Sequence, residues 1–496
     1  MPCPHVVSIV RKRSSVQPRN RLDEGRRLWY TSDTMHAERS DCQPVRPGGG
    51  RGGATAREAL RAWLVMAALV LSGGILSACH LRPILSDVSL SPASISPNAD
   101  GVEDATRISY TLSRNALVSV FFERPTGERF YFRQGQARSA GDYQVLWGGV
   151  IHQPYWLDMG SNLGRERVDS WVLPDGVYRW VIEATDEQQE TQPVAGQIVL
   201  AGGDATVPEL QSFGVTLPAF SPNQDGLDDR TGVSYSLNRD VDSVQVYLYD
   251  PSAPGVRYPL EEQERATKPG KAGYHYYDYD GGVDNGADPP PDGQYVVSAE
   301  AQDSAGHHVA VSSTLTILEG GQPRANVVQG TIHWQSAMRN RQQGTELYIA
   351  LGARLVFTTY VENYGTVPIR TSGPPPGTCY RSDENSNTLA VEMGEESWHE
   401  QAGVWRFGVN FDVSQTDFPY RWAIGTSEEL RCEMLSGHKQ CFLDPGKRGT
   451  VTGCIELAGP FPRPDVYAWG GLIHEWVGIK AQNNYVDRVM LHIGGP

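Results

Sequence analysis

One nine-residue pattern occurs twice in the sequence, as Ser-Pro-Asn-Ala-Asp-Gly-Val-Glu-Asp at residues 96–104 and Ser-Pro-Asn-Gln-Asp-Gly-Leu-Asp-Asp at residues 221–229. A match of this length indicates an internal repeat. Each copy continues into segments with every second residue apolar, and later reaches Pro-Asp-Gly-x-Tyr, at residues 174–178 and 291–295. Apolar alternation with period two is typical of half-buried strands, and Asp-Gly is a turn signal. The repeat therefore predicts two copies of one β module.

Composition agrees with a β-rich protein of several domains. The chain has 496 residues, enough for about three domains. Its 53 Gly, 33 Pro and 22 Tyr favour turns and strands over a helical bundle. Residues 1–78 hold 12 of the 43 basic and 6 of the 58 acidic residues, so the remainder has a net charge of −21. This acidic balance predicts no nucleic-acid partner.

A short apolar segment near the N terminus predicts export. Residues 62–71 are uninterrupted apolar residues that follow a basic stretch and precede small residues. The segment is too short to span a bilayer but has the length of a secretory signal core. The sequence Leu-Ser-Ala-Cys at residues 76–79 resembles the lipobox of bacterial lipoproteins, which implies lipid transfer to Cys79 and cleavage before it. We therefore interpret residues 57–78 as a lipoprotein signal peptide and residues 79–85 as a lipidated tether.

This interpretation places the protein outside the cytoplasm, held by acyl chains in the cell membrane or an outer membrane. An uncleaved signal anchor is the alternative and leaves the topology almost unchanged. Residues 1–56 form a leader without strand or helix periodicity, for which an overextended gene start is the preferred explanation. A basic nucleic-acid-binding arm is the other interpretation of the leader, but export would remove it.

The repeated motifs resemble the immunoglobulin-like module of the flagellar hook-capping protein FlgD, which also occurs as tandem appendages on secreted bacterial proteins. That family shows Trp-Asp-Gly midway, and the second copy has Tyr-Asp-Gly at residues 279–281. The first copy has Trp-Gly-Gly at residues 147–149 and an insertion over residues 155–171. The resemblance implies two β-sandwich modules, at residues 86–201 and 207–318. It does not imply a flagellar role, because fold alone does not carry function.

Both Asn-x-Asp-Gly loops are candidate calcium sites, because they place several oxygen ligands around a glycine turn. The same residue types also form tight turns without metal, through side chains that bond their own backbone, so both interpretations stay open. The acidic residues Asp278, Asp280, Asp284 and Asp288 allow the same two interpretations. Apart from calcium, no cofactor is expected. The candidate ligands are Asn98, Asp100 and Asp104 in the first loop, and Asn223, Asp225 and Asp229 in the second.

The repeat motifs end at a linker, residues 319–327, but apolar alternation continues in residues 328–496. This alternation predicts a third β-sandwich domain. Turns at residues 363–366 and 443–446 weakly resemble those of CARDB-type and related immunoglobulin-like surface modules. The expected fold class is thus all-β, with tandem immunoglobulin-like sandwiches, a C-terminal β-sandwich, a disordered leader and a signal helix.

Four of the seven cysteines fall in the C-terminal domain, at Cys379, Cys432, Cys441 and Cys454, and Cys3 and Cys42 lie in the leader. Four cysteines in one exported domain predict two disulfides, with three possible pairings. We favour Cys432 with Cys441, whose short loop suits a hairpin end, which leaves Cys379 with Cys454. Zinc is the alternative, but the sequence lacks Cys-x-x-Cys spacing.

Catalytic motifs are absent from the sequence, and we predict that the chain is not an enzyme. The pairs His307-His308, His399-Glu400 and His474-Glu475 match no metal or nucleophile pattern. Aromatic clusters are a better indication of function, since exposed rings bind sugars and proteins, although alternation buries about every second one. These aromatic residues are Tyr155, Trp156, Tyr274, Tyr276, Tyr277, Tyr279, Tyr467, Trp469 and Trp476.

Together these features predict a surface lipoprotein that works in binding, adhesion or scaffolding. The expected partners are the membrane, through the lipid, and a protein or polysaccharide at the cell surface. One alternative is an extracellular hydrolase with a catalytic C-terminal domain and the repeats as spacers. Another is a structural envelope or appendage subunit.

Overall fold

The structure is a computed structural model that describes residues 82–160, 164–261, 268–336, 342–343, 345–459 and 461–494. It is almost entirely β, with one α-helix among these residues, which confirms the expected all-β fold class. The predicted leader, the predicted signal peptide and the predicted lipidation site Cys79 lie outside the described residues. Within the described part of the chain, no helix is both long and apolar enough to cross a membrane.

The first module is two sheets with one apolar core between them. Its strands are β1 (Leu85–Ser91), β2 (Ser94–Ile95), β3 (Thr106–Leu112), β4 (Ala116–Glu123), β5 (Arg129–Arg138), β6 (Gly141–Trp147), β7 (Val150–Ile151), β8 (Tyr155–Asp158), β9 (Arg165–Val172), β10 (Gly176–Asp186) and β11 (Thr191–Leu200). The sheets have the strand orders β1-β3-β6 and β2-β11-β10-β4-β5. The core begins at Ile84 and Leu85, so the ordered module reaches into the predicted tether.

The second module repeats this topology. Its strands are β12 (Leu210–Val215), β13 (Ala219–Phe220), β14 (Thr231–Leu237), β15 (Ser243–Tyr249), β16 (Arg257–Pro259), β17 (Gly273–Tyr279), β18 (Gly293–Gln302) and β19 (His308–Ile317). The order β12-β14-β17 matches β1-β3-β6, and each opening strand pair has a register shift. Each module also has one parallel pair, β2 with β11 and β13 with β19.

The insertion in the first copy joins the two modules. Strand β9 pairs with β19, so that one sheet runs β16-β15-β18-β19-β9-β7. Val168 of β9 is fully buried in the core of the second module. Glu166 is buried beside it and accepts a hydrogen bond from the backbone N–H of Leu210 at 2.9 Å. The insertion, which the predicted boundaries place in the first module, thus packs into the second sandwich.

The C-terminal domain is a third sandwich. Its elements are β20 (Ala325–Val327), β21 (His333–Ser336), β22 (Gln342–Gln343), β23 (Glu346–Ile349), β24 (Arg354–Asn363), β25 (Ile369–Thr371), β26 (Cys379–Arg381), α1 (Ser386–Met393), β27 (Trp405–Phe411), β28 (Tyr420–Ala423), β29 (Arg431–Leu435), β30 (His438–Leu443), β31 (Arg448–Glu456), β32 (Asp465–His474) and β33 (Val486–Ile493). Its two sheets enclose a core rich in aromatic residues. Because β20 pairs with β24, the predicted linker is partly a strand of this domain.

Both disulfides lie in the C-terminal domain with the favoured pairing. Cys379 of β26 is bonded to Cys454 of β31, and these residues also face each other in the strand register. Cys432 is bonded to Cys441 across the hairpin of β29 and β30. The sequence separations are 75 and 9 residues, so one bond closes a long segment and the other a hairpin end.

The second module and the C-terminal domain meet through a backbone contact at two glycines. A Cβ atom on Gly226 would lie 2.0 Å from the carbonyl oxygen of Ala402, and one on Gly403 would lie 2.0 Å from the carbonyl carbon of Asp225. No side chain fits at either position. The contact involves the second Asn-x-Asp-Gly loop, which is therefore part of a domain junction.

Replacement of Gly226 by alanine tests this junction. Gly226 and its repeat equivalent Gly101 both have positive φ, of 82° and 87°, but a Cβ atom added to Gly101 would meet nothing within 4 Å. Both substitutions carry the strain of a left-handed residue, about 1 kcal/mol. Only Gly226→Ala adds a backbone collision, and we expect it to lower the free energy of unfolding by about 2 kcal/mol more than Gly101→Ala.

Urea unfolding of both variants measures this difference, and limited proteolysis reports whether the junction opens. Equal stability and equal proteolysis of the two variants would contradict the close contact.

Candidate functional site

The first Asn-x-Asp-Gly loop is a turn whose side-chain oxygens accept hydrogen bonds from its own backbone. Asp104 accepts from the N–H groups of Asn98 at 3.2 Å, Ala99 at 2.9 Å and Gly101 at 2.7 Å. Asn98 accepts from the N–H of Asp100 at 3.0 Å. The loop is thus closed by its last aspartate.

The second loop has nearly the same bonds in a more buried setting. Asp229 accepts from the N–H groups of Asn223, Asp225 and Gly226 at 3.4, 3.0 and 2.6 Å. Asp225 is buried against the C-terminal domain, and burial together with the nearby Asp229 carboxylate raises its pKa to about 7. Arg370 opposes this shift.

The two loops fit a hydrogen-bonded turn better than a calcium site. Calcium needs several oxygens that converge on one open centre. Here the closing aspartates Asp104 and Asp229 face N–H groups, whose positive ends disfavour a cation at the same place. Among the described residues, no group of three or more His, Cys, Asp or Glu side chains is arranged to hold a metal ion. Calcium binding stays a prediction that this geometry does not support.

The Pro-Asp-Gly-x-Tyr motif secures the end of each module. Asp175 accepts from the N–H groups of Gly202 and Gly203, at 2.7 and 2.9 Å, where the chain leaves the first module. Asp292 does the same for Glu319 and Gly320, both at 2.9 Å. The repeated motifs are therefore architectural, since they fasten the segment that leads to the next domain.

Three carboxylates of the acidic run in the second module surround one arginine. Arg230 donates to Asp278 at 2.9 Å and to Asp284, and Asp280 lies 3.5 Å from the same guanidinium. Asp288 lies 3.9 Å from Arg324 instead. A fixed positive charge thus occupies the place where the sequence allowed a cation.

The structure brings together two of the His-Glu pairs of the C-terminal domain. Arg421 donates to Glu400 at 2.8 Å and to both oxygens of Glu475 at 2.9 Å. The fully buried Arg406 donates to Glu475 at 3.3 Å and to the carbonyl oxygen of His399 at 2.6 Å. Burial raises the pKa of Glu475, and the two guanidinium groups oppose that shift. The two carboxylates are thus bound to arginine side chains rather than set as an acid and a base.

The remaining histidines of the candidate pairs have structural partners. His307 is fully buried and its Nδ1 lies 2.9 Å from Asp303. His308 lies 3.3 Å from Asp169 of β9, where the two modules share a sheet.

A cleft of about 540 Å³ opens on the C-terminal domain beside the start of α1. Its walls include Ser382, Asp383, Glu384, Phe411, Tyr420 and Phe461. The two acids are held by Arg381, at 3.0 Å from Asp383 and 3.8 Å from Glu384. The hydrogen bond from Arg381 lowers the pKa of Asp383, so this carboxylate is not poised to donate a proton at neutral pH.

The aromatic candidates separate into buried and exposed sets, and on β17 they alternate as expected, whereas the successive residues Tyr155 and Trp156 are both exposed. Tyr277 and Trp469 are buried, and Tyr279 is half-buried. Tyr467 lies under the guanidinium of Arg488, 3.5 Å from the ring centre. The exposed candidates are Tyr155, Trp156, Tyr274, Tyr276 and Trp476.

Trp476 is the most exposed of these rings, at 79% of its full accessible area. It follows His474 and Glu475 in a tight turn after β32, where the N–H of Gly478 donates to the carbonyl oxygen of His474 at 2.8 Å. Its φ is 68°, a left-handed conformation that is rare for a bulky side chain. Exposed Val477 adjoins it, and exposed Tyr485 stacks on Trp469 of β32. Sequence reasoning identified Trp476 but could not tell that it is exposed.

His474 connects this turn to the second module. Its Nε2 lies 2.7 Å from the carbonyl oxygen of Gln224, and because a carbonyl only accepts, Nε2 carries the hydrogen. The imidazole also stacks on Trp405, with ring centres 4.3 Å apart. Burial lowers the pKa of His474 to about 4, so the ring is neutral at physiological pH.

This shift predicts a pH-dependent contribution to stability. The pKa of His474 is lower in the folded protein than the ordinary value of about 6.5. The contribution of the neutral ring to the free energy of unfolding is therefore complete above pH 6.5 and is lost as the pH falls toward 4. We expect the stability advantage of the wild type over His474→Gln to shrink by about 2 kcal/mol between pH 7 and pH 4.5.

Urea unfolding of both proteins at the two pH values measures this change. The comparison between variants cancels the opposite contribution of Asp225, whose raised pKa favours the fold at low pH. An advantage that stays constant with pH would show that His474 titrates normally.

Comparisons with known proteins give no close relative. No family model and no curated protein matches the chain. Solved structures match only distantly. Native E. coli alpha-2-macroglobulin is 11% identical over 83% of this chain and 23% of that chain, with a TM-score of 0.16. A Ca2+-stabilised ice-binding adhesin of an Antarctic bacterium is 12% identical over 82% and 72%, with a TM-score of 0.20. The glucan-binding protein SGBP-B of Bacteroides ovatus is 10% identical over 82% and 70%, with a TM-score of 0.14. The chain thus spans about a quarter of the macroglobulin, and these similarities assign neither a family nor a function.

Proposed function

We propose that the chain is an extracellular lipoprotein that binds a protein or polysaccharide of the cell surface through its C-terminal domain. In this proposal Cys79 carries the lipid anchor, the two repeated modules act as a spacer, and the C-terminal domain is the binding head. No enzymatic activity is assigned. The FlgD-like character of the modules belongs to the same proposal.

The conformation of Trp476 carries the proposal. A large apolar ring in water costs free energy, about 25 cal/mol for each Å² left exposed, and a left-handed φ costs more. Both costs fall on one residue, whose exposure is 79% and whose φ is 68°. Local strain of this kind persists where the surrounding structure fixes it, and it concentrates at functional sites.

The residues before Trp476 are fixed by the two domains that meet there. Glu475 is bound by Arg421 and Arg406, and His474 is bonded to the second module. The backbone that carries the ring is therefore held in place, so a partner that covers the ring does not have to order this turn. Tryptophan and tyrosine side chains are typical anchors of binding interfaces.

Truncation of this ring tests the binding head. We expect purified ectodomain, residues 79–496 with Cys79→Ser, to sediment with isolated cell envelopes. Trp476→Ala should reduce the apparent affinity about tenfold, or ~1.4 kcal/mol, because it removes a central apolar contact. Cosedimentation across a range of protein concentrations measures the effect.

Tyr360→Ala is the matched control, because Tyr360 is an exposed ring on β24 of the same domain. It should bind like the wild type. Equal binding by Trp476→Ala would refute the assigned head. Self-association of the ectodomain without envelope binding would favour a structural envelope subunit instead.

The lipid anchor is tested separately in cells. The full chain should incorporate labelled palmitate and fractionate with membranes, and Cys79→Ala should do neither, because the thiol that accepts the lipid is missing. Label on the Cys79→Ala variant would contradict the lipobox assignment.

A further inference from the structure

The second module carries a pair of exposed tyrosines on the outer face of its three-stranded sheet. Tyr274 and Tyr276 lie on β17, which is an edge strand of the order β12-β14-β17. Their side chains are 65% and 43% exposed. His275, which lies between them, and Tyr277, which follows them, are buried and point into the core. Residues two apart on a strand are separated by about 7 Å, so the two rings stand side by side on one face.

The neighbouring strand β14 has only small side chains on this face, so the surface beside the two rings is shallow and accessible. Ser236 lies opposite Tyr274, and Ser234 opposite Tyr276. A Cβ atom on Gly232 would lie 2.5 Å from the hydroxyl oxygen of Tyr276, so the ring of Tyr276 lies across the glycine. Small residues below and beside the rings make a shallow aromatic platform with hydroxyl groups at its side.

The first module shows that the fold does not require these tyrosines. Its strands β3 and β6 pair in the same register as β14 and β17. Asp142 and Gln144 occupy the positions of Tyr274 and Tyr276, and Arg107 occupies that of Gly232. Two aromatic rings and the glycine that makes room for one of them therefore occur together, in one copy only.

Charge at the end of the platform disfavours an anion as the ligand. Arg230 directly precedes β14, and it is already bonded to Asp278 and Asp284, with Asp280 close by. The exported part of the chain also has an overall charge of −21. A polyanion would be repelled, whereas a neutral chain rich in hydroxyl groups would not.

We propose that this face is a second binding site, for a neutral polysaccharide. The apolar C–H faces of sugar rings pack on aromatic rings, and sugar hydroxyls bond to serine, aspartate and arginine side chains at the edge of such a platform. The site accepts an extended chain because the sheet face is shallow rather than a closed pocket. It goes beyond the proposed function and does not depend on Trp476.

Removal of the two rings tests the proposal. The probes are microcrystalline cellulose and chitin, both insoluble and free of net charge or nearly so. We expect the ectodomain, residues 79–496 with Cys79→Ser, to be retained by at least one of them. Tyr274→Ala with Tyr276→Ala should lower the apparent affinity at least tenfold, and Tyr276→Phe should bind nearly as well as the wild type because it keeps the ring.

Three controls make the result specific. Asp142→Ala with Gln144→Ala, at the equivalent positions of the first module, should leave retention unchanged. Thermal unfolding of each variant separates lost binding from lost structure, since Tyr276 also covers Gly232. Trp476→Ala should be retained normally, so failure of the binding head and failure of this site give different patterns.

No retention of the wild type by either polysaccharide would overturn the proposal. Equal retention of the double tyrosine variant with an intact fold would also overturn it. Binding of a proline-rich peptide to the tyrosine face, without polysaccharide binding, would replace it with a peptide site.

Discussion

The close backbone contact between the second Asn-x-Asp-Gly loop and the C-terminal domain is the constraint on which the rest of the arrangement depends. Gly226 and Gly403 allow two chain segments to approach where any side chain would collide. The adjacent carbonyl of Gln224 then reaches His474, and the next two residues are Glu475 and Trp476. One loop of the second module thereby orients the turn that carries the proposed binding anchor.

Comparison of the two repeat copies distinguishes residues that maintain the fold from residues that vary between the copies. Residues shared by the two copies close turns and fasten chain exits, as Asp104 and Asp175 do in the first copy. Gln144 and Tyr276 occupy equivalent positions but differ, and neither closes a turn nor fastens a chain exit. The insertion before β10 is a further difference, and its strand β9 fixes the first module to the second by completing a shared sheet. Differences between copies are therefore where specific interactions are to be sought.

Much of the fold could be predicted because it depends on local rules. Apolar alternation predicted the strands that contain Ile108 and Val233, and the short loop between Cys432 and Cys441 predicted the hairpin disulfide. The sites depend on long-range contacts that no local pattern encodes. Arg421 joins Glu400 to Glu475 from a separate strand, and the Gln224 carbonyl reaches His474 from another domain. The exposure of Trp476 could not be predicted from the sequence either, because a turn has no apolar alternation from which burial can be inferred.

Rigidity of the junction in solution is the most direct test of this account. Spin labels at Ser243→Cys in β15 and Tyr360→Cys in β24 would report the distance between the second module and the C-terminal domain, in the ectodomain, residues 79–496 with Cys79→Ser. Both positions are exposed on strands. Double electron–electron resonance should give one narrow distance distribution, because the loop fixes the two domains against each other. A broad distribution or several distances would show that the domains move independently and would contradict a proposed binding turn that the second module orients.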